Sequence, residues 1–268
     1  MIDIHKIDFS FLDRPEVLRV VFHPRPEMRR AVPDAAWTDV AIPVAPGVTI
    51  GGRFHLKDPA WANILFFHGN GEIVADYDEL GALYHESGVN FLPVDYRGYG
   101  RSDGSPTITA MFRDGHVIFE FTRDWLRTNG CSGPLILMGR SLGSAPALEL
   151  AAAYPDRIDG LIIESGFAYA EPLLELLGVD VAAIGFSEQD VFRNLEKIGC
   201  FHGPTLVIHA ERDQIIPFWD GQALYDASPS PHKTLLRIPW ADHNTIFQHG
   251  FAKYMAAVQT LARQSAAV

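Results

Sequence analysis

Short apolar runs alternate with amphipathic stretches over most of this chain. Ala62–Phe67 is apolar except for Asn63, and Gly160–Ile163 is another short apolar run. Runs of this length fit strands buried on both faces. The same pattern predicts strands at Asn90–Asp95, Pro134–Met138, Thr205–His209 and Thr234–Ile238. Between them, Glu72–Ser87 is helix-like, and Thr109–Thr128 carries Phe112, Val117, Ile118, Phe121 and Trp125 at helical spacing. Leu142–Tyr154 is an Ala- and Leu-rich helix stopped by Pro155, and further helices are expected at Pro217–Ala227 and Ile246–Arg263. Ahead of this alternation, Val40–Val44 and Val48–Leu56 flank Pro46-Gly47 as an antiparallel hairpin. The expected fold is α/β: a mostly parallel sheet of the eight-stranded type, helices on both faces, and the hairpin at one end.

One interval breaks the rhythm. About forty residues without a strand pattern separate Ile163 from Thr205, too many for an ordinary connection. The Leu- and Val-rich stretch 168–200 reads as a small helical cap, with a single additional crossover helix as the alternative. Residues 40–167 and 201–268 would then form the core. Residues 1–39 have no clear place in the pattern and are expected to pack on it. Arg14, Arg19, Arg25, Arg29 and Arg30, with Phe9, Phe11 and Phe22, would lie over the sheet or the site entrance.

Composition narrows the function. The chain has 268 residues, 47% of them hydrophobic and 21% charged, as expected of a globular protein. A formal net charge of −11 counts against nucleic acid as a partner. Cys131 and Cys200 have no metal-site or disulfide-framework spacing, and they read as free thiols in a reducing compartment. Met1–Ser10 has no signal-peptide pattern, and no stretch approaches the roughly 20 apolar residues of a membrane span. A cytoplasmic location is expected, and a homo-oligomer is compatible with it.

Two segments have the spelling Gly-x-Ser-x-Gly: 100–104 around Ser102 and 139–143 around Ser141. A nucleophile elbow needs a strand, a tight turn and a helix in that order. Ser141 follows an apolar strand and precedes a helix that tolerates Pro146 in its first turn. Ser102 sits among Gly and Pro with no helix to start, so it is expected to hydrogen-bond within its own loop.

A serine hydroxyl needs a base, and the base a carboxylate to orient it. His243 is the one downstream histidine that follows a late strand and precedes a helix, at the sheet's C-terminal edge. Asp213 follows the strand at Thr205–His209 at the same edge, with Glu164 in reserve and Asp242 disfavoured as a neighbour of His243. Oxyanion donors are expected from the N–H of Leu142 and from that of Asn70 in the loop His68-Gly69-Asn70-Gly71-Glu72. A phosphate-binding turn is the rival reading of that loop, but no Lys-Ser/Thr follows it. His68 is expected to brace the loop. Phe167, Trp219 and Trp240 are candidates to line a substrate pocket.

Five ordered motifs carry a resemblance. They are His68–Gly71, Asp95-Tyr96-Arg97-Gly98-Tyr99-Gly100-Arg101-Ser102, Gly139–Gly143 followed by Ser144-Ala145, His209–Asp213, and Asp242-His243-Asn244. Through them residues 40–265 resemble the α/β-hydrolase superfamily, most of all its compact esterases and thioesterases, depalmitoylase-like proteins included. The resemblance implies a Ser141–Asp213–His243 triad, an acyl-enzyme intermediate, an architectural 95–102 segment and no cofactor or metal. The implied substrate is a small-molecule ester or thioester. No cysteine-rich or transmembrane stretch opens this sequence, which counts against a membrane substrate. Arg140 is expected to be a surface or carboxylate-paired residue. An aminopeptidase-like hydrolase and a catalytically silent binding protein are the alternatives.

Overall fold

The computed structural model describes residues 7–28, 36–188 and 191–267. Eight strands form one sheet: β1 Thr38–Ala45, β2 Val48–Phe54, β3 Ala62–Phe67, β4 Val89–Val94, β5 Leu135–Arg140, β6 Gly160–Glu164, β7 Thr205–Ala210 and β8 Lys233–Ile238. Their order is β1-β2-β4-β3-β5-β6-β7-β8. From β3 onward the neighbours are parallel, whereas β1–β2 and β2–β4 pair antiparallel. Every residue of β3, β4, β6 and β7 is buried, which is why these strands read as continuous apolar runs. The two edges differ. β8 is half-buried or exposed at every position but Ile238, and the β1–β2 register shifts between Pro43 and Ala45.

The helices are α1 Pro15–Val21, α2 Asp78–Glu86, α3 Ile108–Thr128, α4 Ser144–Ala153, α5 Ala170–Leu176, α6 Asn194–Ile198, α7 Phe218–Ala227 and α8 Ile246–Ser265. One apolar cluster fills the space between the sheet and the face carrying α1, α3, α4 and α7. A second, with Tyr84 of α2 and Tyr254, Met255, Val258 and Leu261 of α8, covers the opposite face. Thr107 caps α3 by accepting the Ala110 N–H at 3.0 Å. Among the described residues no helix is long and apolar enough to cross a membrane.

Two expected helices begin later than their patterns suggest. A 3-10 turn, Val74–Tyr77, precedes α2, and another, Ser141–Gly143, precedes α4. In both cases the chain leaves a positive-φ residue, Gly71 or Ser141, and tightens before settling into α geometry.

The segment expected as one cap divides in two. α5 lies beside the cavity described below, whereas α6 packs within the helical layer against α4 and α7. Lys197 of α6 is fully buried, pairs with Glu149 of α4 at 2.7 Å and lies over the rings of Phe9 and Phe112. A lone buried ammonium is costly, so the carboxylate and the ring faces fix where α6 docks. Phe9 stacks on Phe112 at 3.9 Å, and Leu12 and Val17 are buried, so residues 7–22 pack on the core. Arg29 and Arg30 lie outside the described residues, while Arg14 and Arg19 are exposed.

Candidate active site

β5 ends at Arg140 and the chain turns sharply at Ser141, whose φ is 52°. A non-glycine residue in that region is strained, and strain of this kind holds a side chain outward from a turn. The flanking glycines are steric necessities. A Cβ on Gly139 would lie 2.2 Å from Gly143 O, and one on Gly143 would lie 2.0 Å from Phe67 O. Ser144 Oγ donates to Ser141 O at 2.7 Å and steadies the turn.

Three side chains from three segments meet here. Ser141 Oγ lies 3.0 Å from His243 Nε2, and His243 Nδ1 lies 2.7 Å from Asp213 Oδ2. The Asp213 carboxylate can only accept, so Nδ1 carries the proton and the Nε2 lone pair faces the serine hydroxyl. Asp213 Oδ1 accepts the N–H groups of Ile215 and Ile216 at 3.0 and 2.8 Å. Burial pushes the Asp213 pKa up, but the hydrogen bond and charge of His243, helped by the Ile216 N–H, outweigh it and hold the carboxyl below its ordinary range. A second histidine, His209, stands behind the same carboxylate. Its Nε2 donates to Ile216 O at 2.8 Å and is 3.6 Å from Asp213 Oδ2, and burial lowers its pKa. Its sequence signals were its place near the end of β7 and at the head of the His209–Asp213 motif.

The reserve acids are engaged elsewhere. Glu164 accepts from Arg140 Nε at 3.1 Å and from the Tyr254 hydroxyl at 2.6 Å, and burial raises its pKa. Asp242 Oδ1 accepts from Asn244 N and Thr245 Oγ1 and closes its own turn. The Ser102 N–H donates to Tyr99 O within its own loop at 2.8 Å, and its side chain makes a further bond outside the loop. Its Oγ accepts the Gly51 N–H of β2 at 2.9 Å, because the 95–102 segment folds back along that strand.

The Asn70 loop is held on several sides. Gly69 N donates to Glu72 Oε2 at 2.7 Å, and the Tyr77 hydroxyl donates to the same oxygen at 2.5 Å. Asn70 Oδ1 accepts from His23 N and from the Tyr99 hydroxyl, both at 2.8 Å. His68 is fully buried, with Nδ1 2.7 Å from Gly69 O and Nε2 3.3 Å from Asp95 Oδ1. The 7–28 segment, expected over the sheet or the site entrance, reaches the site through His23. Arg25 Nε adds a bond to Gly71 O at 2.7 Å.

Ser141, Leu142, Asn70 and His243 open onto a cavity of about 270 Å³. Its apolar arm is made by Val21, Phe167, Leu173, Leu174, Leu177 and Phe192, and its polar side by Glu72, Arg140 and Asn244. Phe167 is in this lining and Trp219 and Trp240 are not; they are 74% and 63% exposed. Trp219 lies on the outer side of the first turn of α7, edge-on to Phe218. A φ of 67° turns Trp240 outward beneath the Arg212 guanidinium. Among the described residues no group of three or more His, Cys, Asp or Glu side chains is gathered to hold a metal ion.

The family model described as serine aminopeptidase, S33, matches residues 58–185. The lysophosphatidylserine lipase ABHD12 of Xenopus tropicalis is 30% identical over 250 residues, covering 84% of this chain and 59% of its own. The uncharacterized membrane protein YNL320W of Saccharomyces cerevisiae is 32% identical over 178 residues, covering 63% of this chain and 60% of its own. The chain therefore spans about three-fifths of the length of these relatives. Among solved structures, the Pyrococcus furiosus esterase Pf2001 superposes with a TM-score of 0.70 at 17% identity, over 92% of this chain and 98% of its own. Sheet order and these likenesses agree: the chain has the α/β-hydrolase fold and is similar in sequence to members of that superfamily.

Proposed function

We propose that this chain hydrolyses a carboxylic ester or thioester with an apolar acyl group, through an acyl-enzyme on Ser141. The observation that carries the reading is the hydrogen-bonded chain Ser141–His243–Asp213 at the mouth of an apolar cavity. Ser141 Oγ attacks the carbonyl carbon while His243 Nε2 takes its proton. The imidazolium, held by Asp213, then returns that proton to the leaving oxygen or sulfur as the acyl–leaving-group bond breaks. The N–H groups of Leu142 and Asn70 hold the oxyanion. Water, deprotonated by His243, repeats the attack and frees the acid.

An acyl group in the arm between α5 and the strand edge would remove apolar surface from water, which favours the longer chain over acetate. One acyl chain is also what the lysophospholipid in the name of the Xenopus relative carries. A peptidase acting at a free amino terminus needs a carboxylate for the amine. Of Glu164, Glu171 and Glu211, the acids that could be offered for it, two are committed: Glu164 to Arg140 and Tyr254, and Glu211 to Arg237 and the Trp240 N–H. That favours the ester.

The test is fluorophosphonate labelling with peptide mapping, beside a p-nitrophenyl ester series from acetate to decanoate. Label on Ser141, lost in Ser141→Ala and kept in Ser102→Ala, is expected, with kcat/KM rising along the series. Labelling that survives Ser141→Ala removes the nucleophile, and a preference for acetate removes the acyl arm.

A further inference from the structure

Arg140 precedes the nucleophile, and its guanidinium reaches three other segments. Nη1 pairs with Glu72 in the Asn70 loop, and Nε donates to Glu164 at the end of β6. Nη2 donates to the backbone oxygen of His243 at 3.0 Å and to Asn244 Oδ1 at 3.2 Å. Glu72 in turn accepts the Gly69 N–H, one residue before the proposed oxyanion donor. One planar group therefore spans from the loop that offers an amide to the oxyanion to the loop that carries the base. A Cβ on Gly69 would stand 2.7 Å from Arg140 Nη1, so a side chain there would displace the guanidinium from this arrangement.

The fork has no equivalent in a point charge. Arginine offers five N–H donors in fixed directions, and here every donor-bearing nitrogen is used. The group is nearly buried, and Glu72, Glu164 and Tyr77 keep its pKa raised against the burial that opposes it. Behind it lies a second cavity of about 170 Å³, which shares Glu72 and Arg140 with the first. Arg140 and Glu72 therefore stand between the two spaces.

We infer that Arg140 is a positioning residue that ties the Asn70 loop to the His243 loop, so that oxyanion donor and base are held in register about Ser141. The inference rests on the proposed roles of Ser141, His243 and the Asn70 amide. The tie itself is a physical link that can be measured without activity.

Hydrogen exchange is followed by mass spectrometry in a Ser141→Ala background, with and without Arg140→Ala. Faster exchange in peptides from both 68–77 and 241–246 is expected, and no change in either one overturns the tie. In the active protein, Arg140→Lys is expected to lose about 10- to 100-fold in kcat with KM within threefold, the range for a misplaced catalytic group. Ethylguanidinium added to Arg140→Ala is expected to restore part of kcat, and ethylammonium is not. An Arg140→Lys kcat within twofold of the parent, a loss confined to KM, or equal rescue by ethylammonium overturns the positioning role. If Arg140→Ala does not fold, Arg140→Lys carries the exchange and kinetic arms. Failure of the parent to label at Ser141 counts against the hydrolase reading, and the exchange result still decides the tie.

Discussion

His55 makes folding stability depend on pH between about 4 and 6.5. It follows β2, bridges Phe91 through both backbone bonds, and is 1% exposed. Gly81 of α2 presses so close that a Cβ there would lie 2.2 Å from Nδ1. Among the described residues its Nε2 has no hydrogen-bond partner. Burial, with smaller contributions from the charges of His85 and Arg53 and against that of Asp39, lowers its pKa from 6.5 to about 4. The unfolded chain therefore binds a proton between these values that the folded chain refuses. Stability from this residue is complete above pH 6.5 and is lost as pH falls toward 4. At pH 4.5 an unfolded imidazole is almost fully protonated and the folded one mostly neutral, which amounts to roughly 2 kcal/mol relative to pH 7. With a urea slope of about 3 kcal/mol/M, that is a midpoint shift of roughly 0.7 M. His55→Leu removes the titration and an unpartnered nitrogen together, so its stability at pH 7 should lie within about 1 kcal/mol of the parent. Urea midpoints at pH 7 and 4.5 are compared for both proteins. If His55→Leu loses as much stability on acidification as the parent, the proton is not taken up at residue 55 and the reasoning fails.

Asp213→Asn keeps an acceptor for the Ile215 and Ile216 amides but turns an N–H toward His243 Nδ1, forcing the imidazole into the tautomer that cannot take the serine proton. Ester hydrolysis should show kcat reduced by about 10⁴-fold with the circular dichroism spectrum unchanged, and a loss under tenfold would contradict the assigned orientation. Gly143→Ala brings a Cβ to 2.0 Å from Phe67 O, and neither backbone can move without disturbing β3 or the elbow. Thermal unfolding should register about 1–3 kcal/mol of destabilisation together with slower Ser141 labelling; parental stability and labelling rate would show the contact to be avoidable.

The sheet was legible because parallel strands covered on both faces must be apolar at nearly every position, as β3 and β7 are. Ser141, Asp213 and His243 could be singled out because each follows a strand at its C-terminal end, where one edge gathers them. The full set of partners of His209 and Arg140 was not readable, although Arg140 was expected to be a surface or carboxylate-paired residue. Their partners are fixed by side-chain reach across the edge, and local periodicity does not encode that. The same holds for residues 7–28, where His23 meets Asn70 across 47 positions of sequence. The outward placement of Trp219 and Trp240 depends on the phase of one helical turn and on a single positive φ, neither of which their residue type specifies.

An open sheet ends in two unpaired strands, each a template on which another chain could add hydrogen bonds. At one end β1 carries Pro43, which has no N–H to offer, next to the register irregularity that bends the strand away from a flat ladder. At the other, β8 carries exposed Arg237 and half-buried Lys233, whose Nζ is spent on the backbone oxygens of Tyr225 and Ser228. Growth of the sheet by strand addition is thus discouraged at both borders.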